Sequence, residues 1–166
     1  MGTHSSKFAQ PEARTLRDSE LRELIDAIGD VPFSTDRARV KKKSLDFYWY
    51  SPVLKPRMAD LCGDIVVTPR NEADVIHVAA ACAELGIPIT VRGAGTGNYG
   101  QAVPLTGGVV LDMIELDQTL WLTPGLVRVQ AGKLTLQLDR AIRASGWAQR
   151  RDPSPKRTAT IGGCVD

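Results

Sequence analysis

Residues 64–100 read DIVVTPRNEADVIHVAAACAELGIPITVRGAGTGNYG, and this stretch decides the fold. Asp64-Ile-Val-Val-Thr68 is a short β-branched run closed by Pro69, which predicts a strand. Asn71 is a suitable N-cap for a following helix, with Asp74 at its N3 position. Val75, Val78, Ala79 and Cys82 give that helix an apolar stripe, and Gly86 ends it. Ile87-Pro-Ile-Thr-Val91 is the next strand. Strand, helix and strand with short connections predict a βαβ unit, with parallel pairing and a right-handed crossover.

The stretch ends in the loop Arg92–Gly100, with glycines at 93, 95, 97 and 100. Glycine accepts positive φ and brings no Cβ between backbone and ligand. Such a loop can turn successive N–H groups toward one point and form an anion-binding concavity. A diphosphate suits it, because each charge-assisted hydrogen bond is worth roughly 1.5–3 kcal/mol. Thr96, Asn98 and Tyr99 add side-chain donors, and Arg92 either serves the phosphates or braces the loop. Gly95–Gly100 also satisfies G-x-G-x-x-G, the fingerprint of nicotinamide-binding Rossmann folds, which requires a tight turn into a helix. Here Pro104 and the pair Gly107-Gly108 forbid a helix of useful length, and residue 120 is Leu where an acid is expected. The loop therefore joins strand to strand, the next strand being Gly108-Val-Val-Leu-Asp-Met113.

Outward from this centre, Leu21, Leu24, Ile25 and Ile28 mark an amphipathic helix capped by Asp18 or Ser19 and stopped at Gly29. Residues up to about Ala13 read as a mobile leader. An irregular segment follows the helix, with the basic run Arg37, Arg39, Lys41, Lys42, Lys43 and the aromatics Phe47, Tyr48, Trp49, Tyr50. Basic residues beside aromatics are a feature of single-strand nucleic-acid binders. The net charge of +2 and the lack of a second basic face instead favour a solvated segment followed by aromatics that pack on the domain. Beyond the glycine loop, Trp121-Leu122 and Leu126–Gln130 predict two strands about the turn Thr123-Pro-Gly125. Leu134, Leu138, Ala141 and Ile142 predict a helix ending at Gly146. The division is a leader, helix and basic/aromatic segment over 1–60 and a ligand-binding domain over 61–166.

Composition excludes several classes. A hydrophobic fraction of 43% and a charged fraction of 24% are those of an ordinary globular protein. No apolar run is long enough for a membrane helix, and Met1–Arg14 lacks a signal-peptide core. The expectation is a cytoplasmic protein, without nucleic acid or membrane insertion. Cys62, Cys82 and Cys164, with His4 and His77, lack the short spacings of a metal site, so no metal is expected.

The ordered set Val67-Thr-Pro69, Val91-Arg-Gly-Ala-Gly-Thr-Gly97, Gly107-Gly-Val-Val-Leu-Asp112, Val129-Gln-Ala-Gly132, Gly146, Asp152-Pro-Ser154 and Ala159-Thr-Ile-Gly-Gly163 resembles the FAD-linked oxidases. The type is that of vanillyl-alcohol oxidase and p-cresol methylhydroxylase, with a flavour nearest glycolate oxidase and D-lactate dehydrogenase. The resemblance runs from about Ile65 to Val165 and covers the N-terminal part of the FAD-binding domain. It implies an α+β (α/β) chain with two subdomains, the first βαβ subdomain complete and the second truncated. It also implies an FAD-dependent oxidoreductase that acts, in the complete protein, on a small 2-hydroxy acid such as glycolate or D-lactate.

By the same resemblance, the cofactor-binding residues are Arg92, Gly93, Ala94, Gly95, Thr96, Gly97, Asn98, Tyr99, Gly100 and Gln101 around the diphosphate. Pro153, Ser154, Thr160, Ile161, Gly162 and Gly163 lie toward the flavin and ribityl region. Some relatives attach FAD through a histidine in the loop. The matching residue here is Thr96, which implies non-covalent FAD. The family continues beyond Thr-Ile-Gly-Gly with groups that orient the substrate, and the catalytic residues are not identified here. The alternative is an inactive, truncated or split FAD- or nucleotide-binding fragment that needs a partner subunit or a C-terminal domain.

Overall fold

In the computed structural model, the described residues are 14–150 and 155–165. The apolar run after Asp64 forms strand β2 (Ile65–Val67), every residue of which is buried. That continuity is expected of a strand covered on both faces. The sheet also contains β1 (Phe33–Ser34), β3 (Ile89–Arg92) and β4 (Val109–Asp112), in the order β1-β2-β4-β3. β2 and β3 both run parallel to β4, with Ile65 and Ile89 opposite Val109 and Val67 and Val91 opposite Leu111. β1 pairs antiparallel at the other edge, with Phe33 opposite Val67.

The two strands of the anticipated βαβ unit are thus parallel but not adjacent. β4 takes the slot between them because it is the more apolar strand and all four of its residues are buried. β3 becomes the edge, with Val91 60% exposed. Entry of β4 depends on Gly108. Its N–H donates to Asp64 Oδ2 (2.7 Å), its carbonyl accepts from Asp64 N–H (2.8 Å), and a Cβ there would lie 2.3 Å from the Pro88 carbonyl oxygen.

Side chains alternate across the sheet. Ile65, Val67, Val109 and Leu111 face the main core, with Leu24 and Ile28 of helix α1 (Asp18–Ile28) and Val78, Ala81 and Cys82 of α4 (Glu72–Leu85). Val66 and Val110 face the other way and meet Val40 of helix α2 (Arg37–Lys43). Each buried Val, Leu or Ile among them stabilises the fold by roughly 1.5–3 kcal/mol. The α4 stripe includes Ala81 where the sequence pattern pointed to Ala79, and Asn71 caps it by accepting from Asp74 N–H at 2.8 Å.

The segment before residue 61 is more ordered than its composition suggested. The basic run is a helix with one fully buried residue, Val40. Its N-cap is Asp36, which accepts from Arg39 N–H at 2.8 Å. α1 is capped from Arg17, whose N–H donates to Glu20 Oε2 at 2.9 Å, and not by Asp18 or Ser19. Of the aromatics only Tyr48 packs inward. Phe47, Trp49 and Tyr50 are exposed, and Trp49 and Tyr50 stack with centroids 3.8 Å apart. Short helix α3 (Lys55–Met58) leads into β2.

The C-terminal part holds the antiparallel hairpin β5 (Thr119–Thr123) and β6 (Leu126–Val129), then helix α5 (Thr135–Ala144) and the short helix α6 (Gly162–Val165). Residues 155–163 run back along 131–136. Thr135 N–H donates to Ala159 O (3.0 Å), Ile161 N–H to Lys133 O (2.8 Å) and Gly162 N–H to Ala131 O (2.8 Å). Gly132 N–H donates to Leu116 O (2.8 Å), which ties this strip to the end of β4.

Candidate functional site

The glycine loop leaves the edge strand β3 and reaches β4 with no helix between them. The backbone is left-handed at Gly95 (φ +67°) and again at Gly100 (φ +84°), a conformation that side chains rarely adopt. At Gly95 a side chain is excluded as well, because a Cβ there would fall 2.2 Å from the Arg92 guanidinium. At Gly93 the constraint is a neighbour: a Cβ would stand 2.3 Å from Thr160 Oγ1.

Between the loop and the returning strip is a cavity of about 190 Å³. It is lined by Asp46, Val91, Gly93, Ala94, Gly95, Thr96, Gly97, Gln101, Ala102, Thr160 and Gly163. Among the described residues, none accepts from the backbone N–H groups of residues 94–98. Thr160 is 1% exposed and its hydroxyl has no partner. A buried hydroxyl without a partner is costly, and successive loop N–H groups without acceptors suit an anion with several oxygens.

The sequence-derived residues divide on this geometry. Gly93, Ala94, Gly95, Thr96, Gly97, Gln101, Thr160 and Gly163 meet at the cavity. Gly100 is turned to Asp46, Tyr99 is 74% exposed, and Asn98 lies outside the lining. Ile161 lines a different cavity, and Gly162 is spent on Ala131 O. Pro153 and Ser154 lie outside the described residues. Arg92 is buried and points away from the cavity. It donates to the carbonyls of Lys43 (2.9 Å) and Leu45, and more distantly to Ala94 O (3.4 Å). Of the two roles open to it, this is the bracing one. Burial pulls its pKa below the usual guanidinium value, and Asp112 and Asp46 oppose that shift.

Asp46 was absent from the sequence-derived set. It sits 54 residues from Gly100, whose N–H it accepts at 2.9 Å, and nothing in the local pattern of a basic and aromatic segment marks it. Among the described residues, no three His, Cys, Asp or Glu side chains form a metal-ligand group, and no helix is long and apolar enough to cross a membrane.

A second, larger cavity of about 330 Å³ lies between the β5–β6 hairpin and α5. It is lined mainly by apolar residues such as Leu122, Leu126, Leu138, Ile142 and Trp147. Its lining is mainly apolar, so the more polar glycine-loop cavity is the better candidate for anion chemistry.

A family model described as FAD binding domain matches residues 63–166. Glycolate oxidase subunit GlcD of Bacillus subtilis (strain 168) is 34% identical over 105 residues, which cover 62% of this chain and 22% of that protein. D-lactate dehydrogenase of Archaeoglobus fulgidus is 33% identical over 115 residues, covering 69% and 25%. This chain therefore spans a quarter or less of the length of these two relatives. The crystal structure of p-cresol methylhydroxylase with substrate bound superposes with a TM-score of 0.72 at 17% identity, over 93% of this chain and 31% of that one. At that identity the likeness concerns the fold, which is of the p-cresol methylhydroxylase type.

Proposed function

Since the chain belongs to the family of FAD-binding domains, we propose that its glycine-loop cavity holds the diphosphate of FAD, bound without a covalent link. The observation that carries this reading is the cavity lined by residues 93–97 and Thr160, where, among the described residues, the N–H groups of 94–97 have no acceptor and the Thr160 hydroxyl no partner. The residues fit the group: the N–H donors and Thr160 Oγ1 suit phosphate oxygens, and Gly93 leaves room for Thr160 to approach. Thr96, the loop position where a covalent link would form, offers no nucleophile of the histidine kind. The whole set Arg92–Gln101, Pro153, Ser154 and Thr160–Gly163 remains our proposed cofactor-binding region, with Arg92 and Gly100 contributing through the shape of the loop.

FAD, when bound, supplies the two-electron acceptor for an oxidation. The similarity to a glycolate oxidase subunit and a D-lactate dehydrogenase supports a small 2-hydroxy acid as substrate of the whole protein. This chain's own part is to bind and orient the cofactor. Free, unpaired Cys62, Cys82 and Cys164 accord with a reducing compartment, and we place the protein in the cytoplasm.

A second reading is that the chain is an FAD-binding piece that turns over nothing without further polypeptide, from a partner subunit or a C-terminal domain. The exposed hairpin favours it. All five residues of β5 are exposed, and Leu126 is 62% and Trp147 48% exposed beside the apolar cavity. A two-stranded hairpin needs a third strand or a packed face for stability.

Purification and a visible spectrum test the first reading. A flavin spectrum, with the chromophore released by acid, is expected. A colourless protein that also fails to take up added FAD would overturn it. Oxidation of glycolate or D-lactate by this chain alone would overturn the second.

A further inference from the structure

The loop that faces the cavity is held from behind by a segment that lies far from it in sequence. Phe47 N–H donates to Gly97 O at 2.8 Å. Asp46 is 4% exposed and uses both carboxylate oxygens: Oδ1 accepts from Tyr48 N–H (2.8 Å) and Oδ2 from Gly100 N–H (2.9 Å). Arg92 closes the other end, joining Lys43 O, Leu45 O and Ala94 O. Lys43 in turn pairs with the buried Asp112 (2.5 Å), which stands opposite Arg92 in the sheet. Two cations and two carboxylates therefore balance beneath the loop, and of the four only Asp46 lines the cavity.

We propose that the segment Lys43–Phe47 is the positioning element of the glycine loop, with Asp46 and Arg92 as its positioning residues. They hold residues 94–100 in the open, donor-presenting shape before any ligand arrives. This rests on the FAD reading for the identity of the ligand, but the holding of the loop does not. Its consequence is affinity: residues ordered in advance are not ordered at the expense of binding. It also assigns the anion attraction to backbone N–H groups, because the Arg92 charge is compensated and turned away.

The test joins amide hydrogen exchange of the ligand-free protein to an FAD titration. In the wild type the Gly100 and Phe47 amides should be protected without ligand. Asp46→Asn leaves one carbonyl oxygen where two acceptors are needed. Exchange at Gly100 should accelerate at least about tenfold and FAD affinity should fall about tenfold. Arg92→Lys, whose single ammonium cannot span three carbonyls, should weaken FAD in the same way. Asn71→Ala, a destabilising change remote from the loop, should alter neither reading. An unprotected Gly100 amide in the wild type, or unchanged FAD affinity in Asp46→Asn, would overturn the proposal. A wild-type protein that ignores FAD would overturn the function proposed above, while the Gly100 amide would still decide whether the loop is held.

Discussion

Thr160 Oγ1 stands where a side chain on Gly93 would have to be, 2.3 Å from an ideal Cβ. This approach joins the returning strip of the C-terminal part to the end of β3. It also makes one wall of the cavity depend on a residue 67 positions away from the other (160 − 93). The expectation is that Gly93→Ala destabilises the protein by about 1–3 kcal/mol through overpacking. Thr160→Ala removes Oγ1 and leaves its Cβ 3.5 Å from the added methyl, so the double variant should regain most of the lost stability. Urea unfolding of the two single variants and the pair checks this, and additive losses would contradict it.

Gly95→Val should abolish FAD retention. The added side chain meets both a positive φ and the Arg92 guanidinium, so the loop must move. Helices α1 and α4 pack elsewhere, so far-UV circular dichroism should be nearly unchanged. Retained flavin in this variant would remove the loop from the site.

Asn71→Ala should cost about 0.5–2 kcal/mol, the usual worth of an N-cap, because Asp74 N–H loses its acceptor. Asn71→Ser should recover most of it. Chemical denaturation midpoints with unchanged slopes would report the difference.

Cys82 gives a pH dependence. It is 1% exposed, and burial pushes its thiol up from 9.0 to about 11. Between these values the unfolded chain releases the proton and the folded one keeps it. The stability contributed by the neutral thiol is therefore present below about pH 9 and is lost progressively up to about pH 11, on the order of 2 kcal/mol. Cys82→Ala should flatten that alkaline decline. The wild-type thiol should also resist maleimide at neutral pH until denaturant is added.

Much of this architecture was legible because local chemistry and tertiary context agree. The caps at Asn71 and Gly86, the β-branched run of β2 and the hairpin turn at Thr123–Gly125 each have a mechanism within a few residues. Helix α2 was not legible, because Arg37–Lys43 buries one side chain, Val40, among charges that mask its periodicity. β1 is two residues long and exists only because β2 offers an edge. The exposure of Phe47, Trp49 and Tyr50 also lay beyond the pattern, since composition cannot distinguish an aromatic on a rim from one in a core.

The glycine loop shows the division most clearly. From the sequence alone came its position after a strand, its capacity to present N–H groups and, through Pro104, the absence of a following helix. These are properties of backbone torsion and of residues adjacent in the chain. The tertiary structure decided that β4 inserts between β2 and β3, that Arg92 turns inward as a brace, and that Asp46 and Thr160 complete the walls. Those outcomes depend on contacts between residues tens of positions apart, and the free energy that selects them exists only once the sheet has formed.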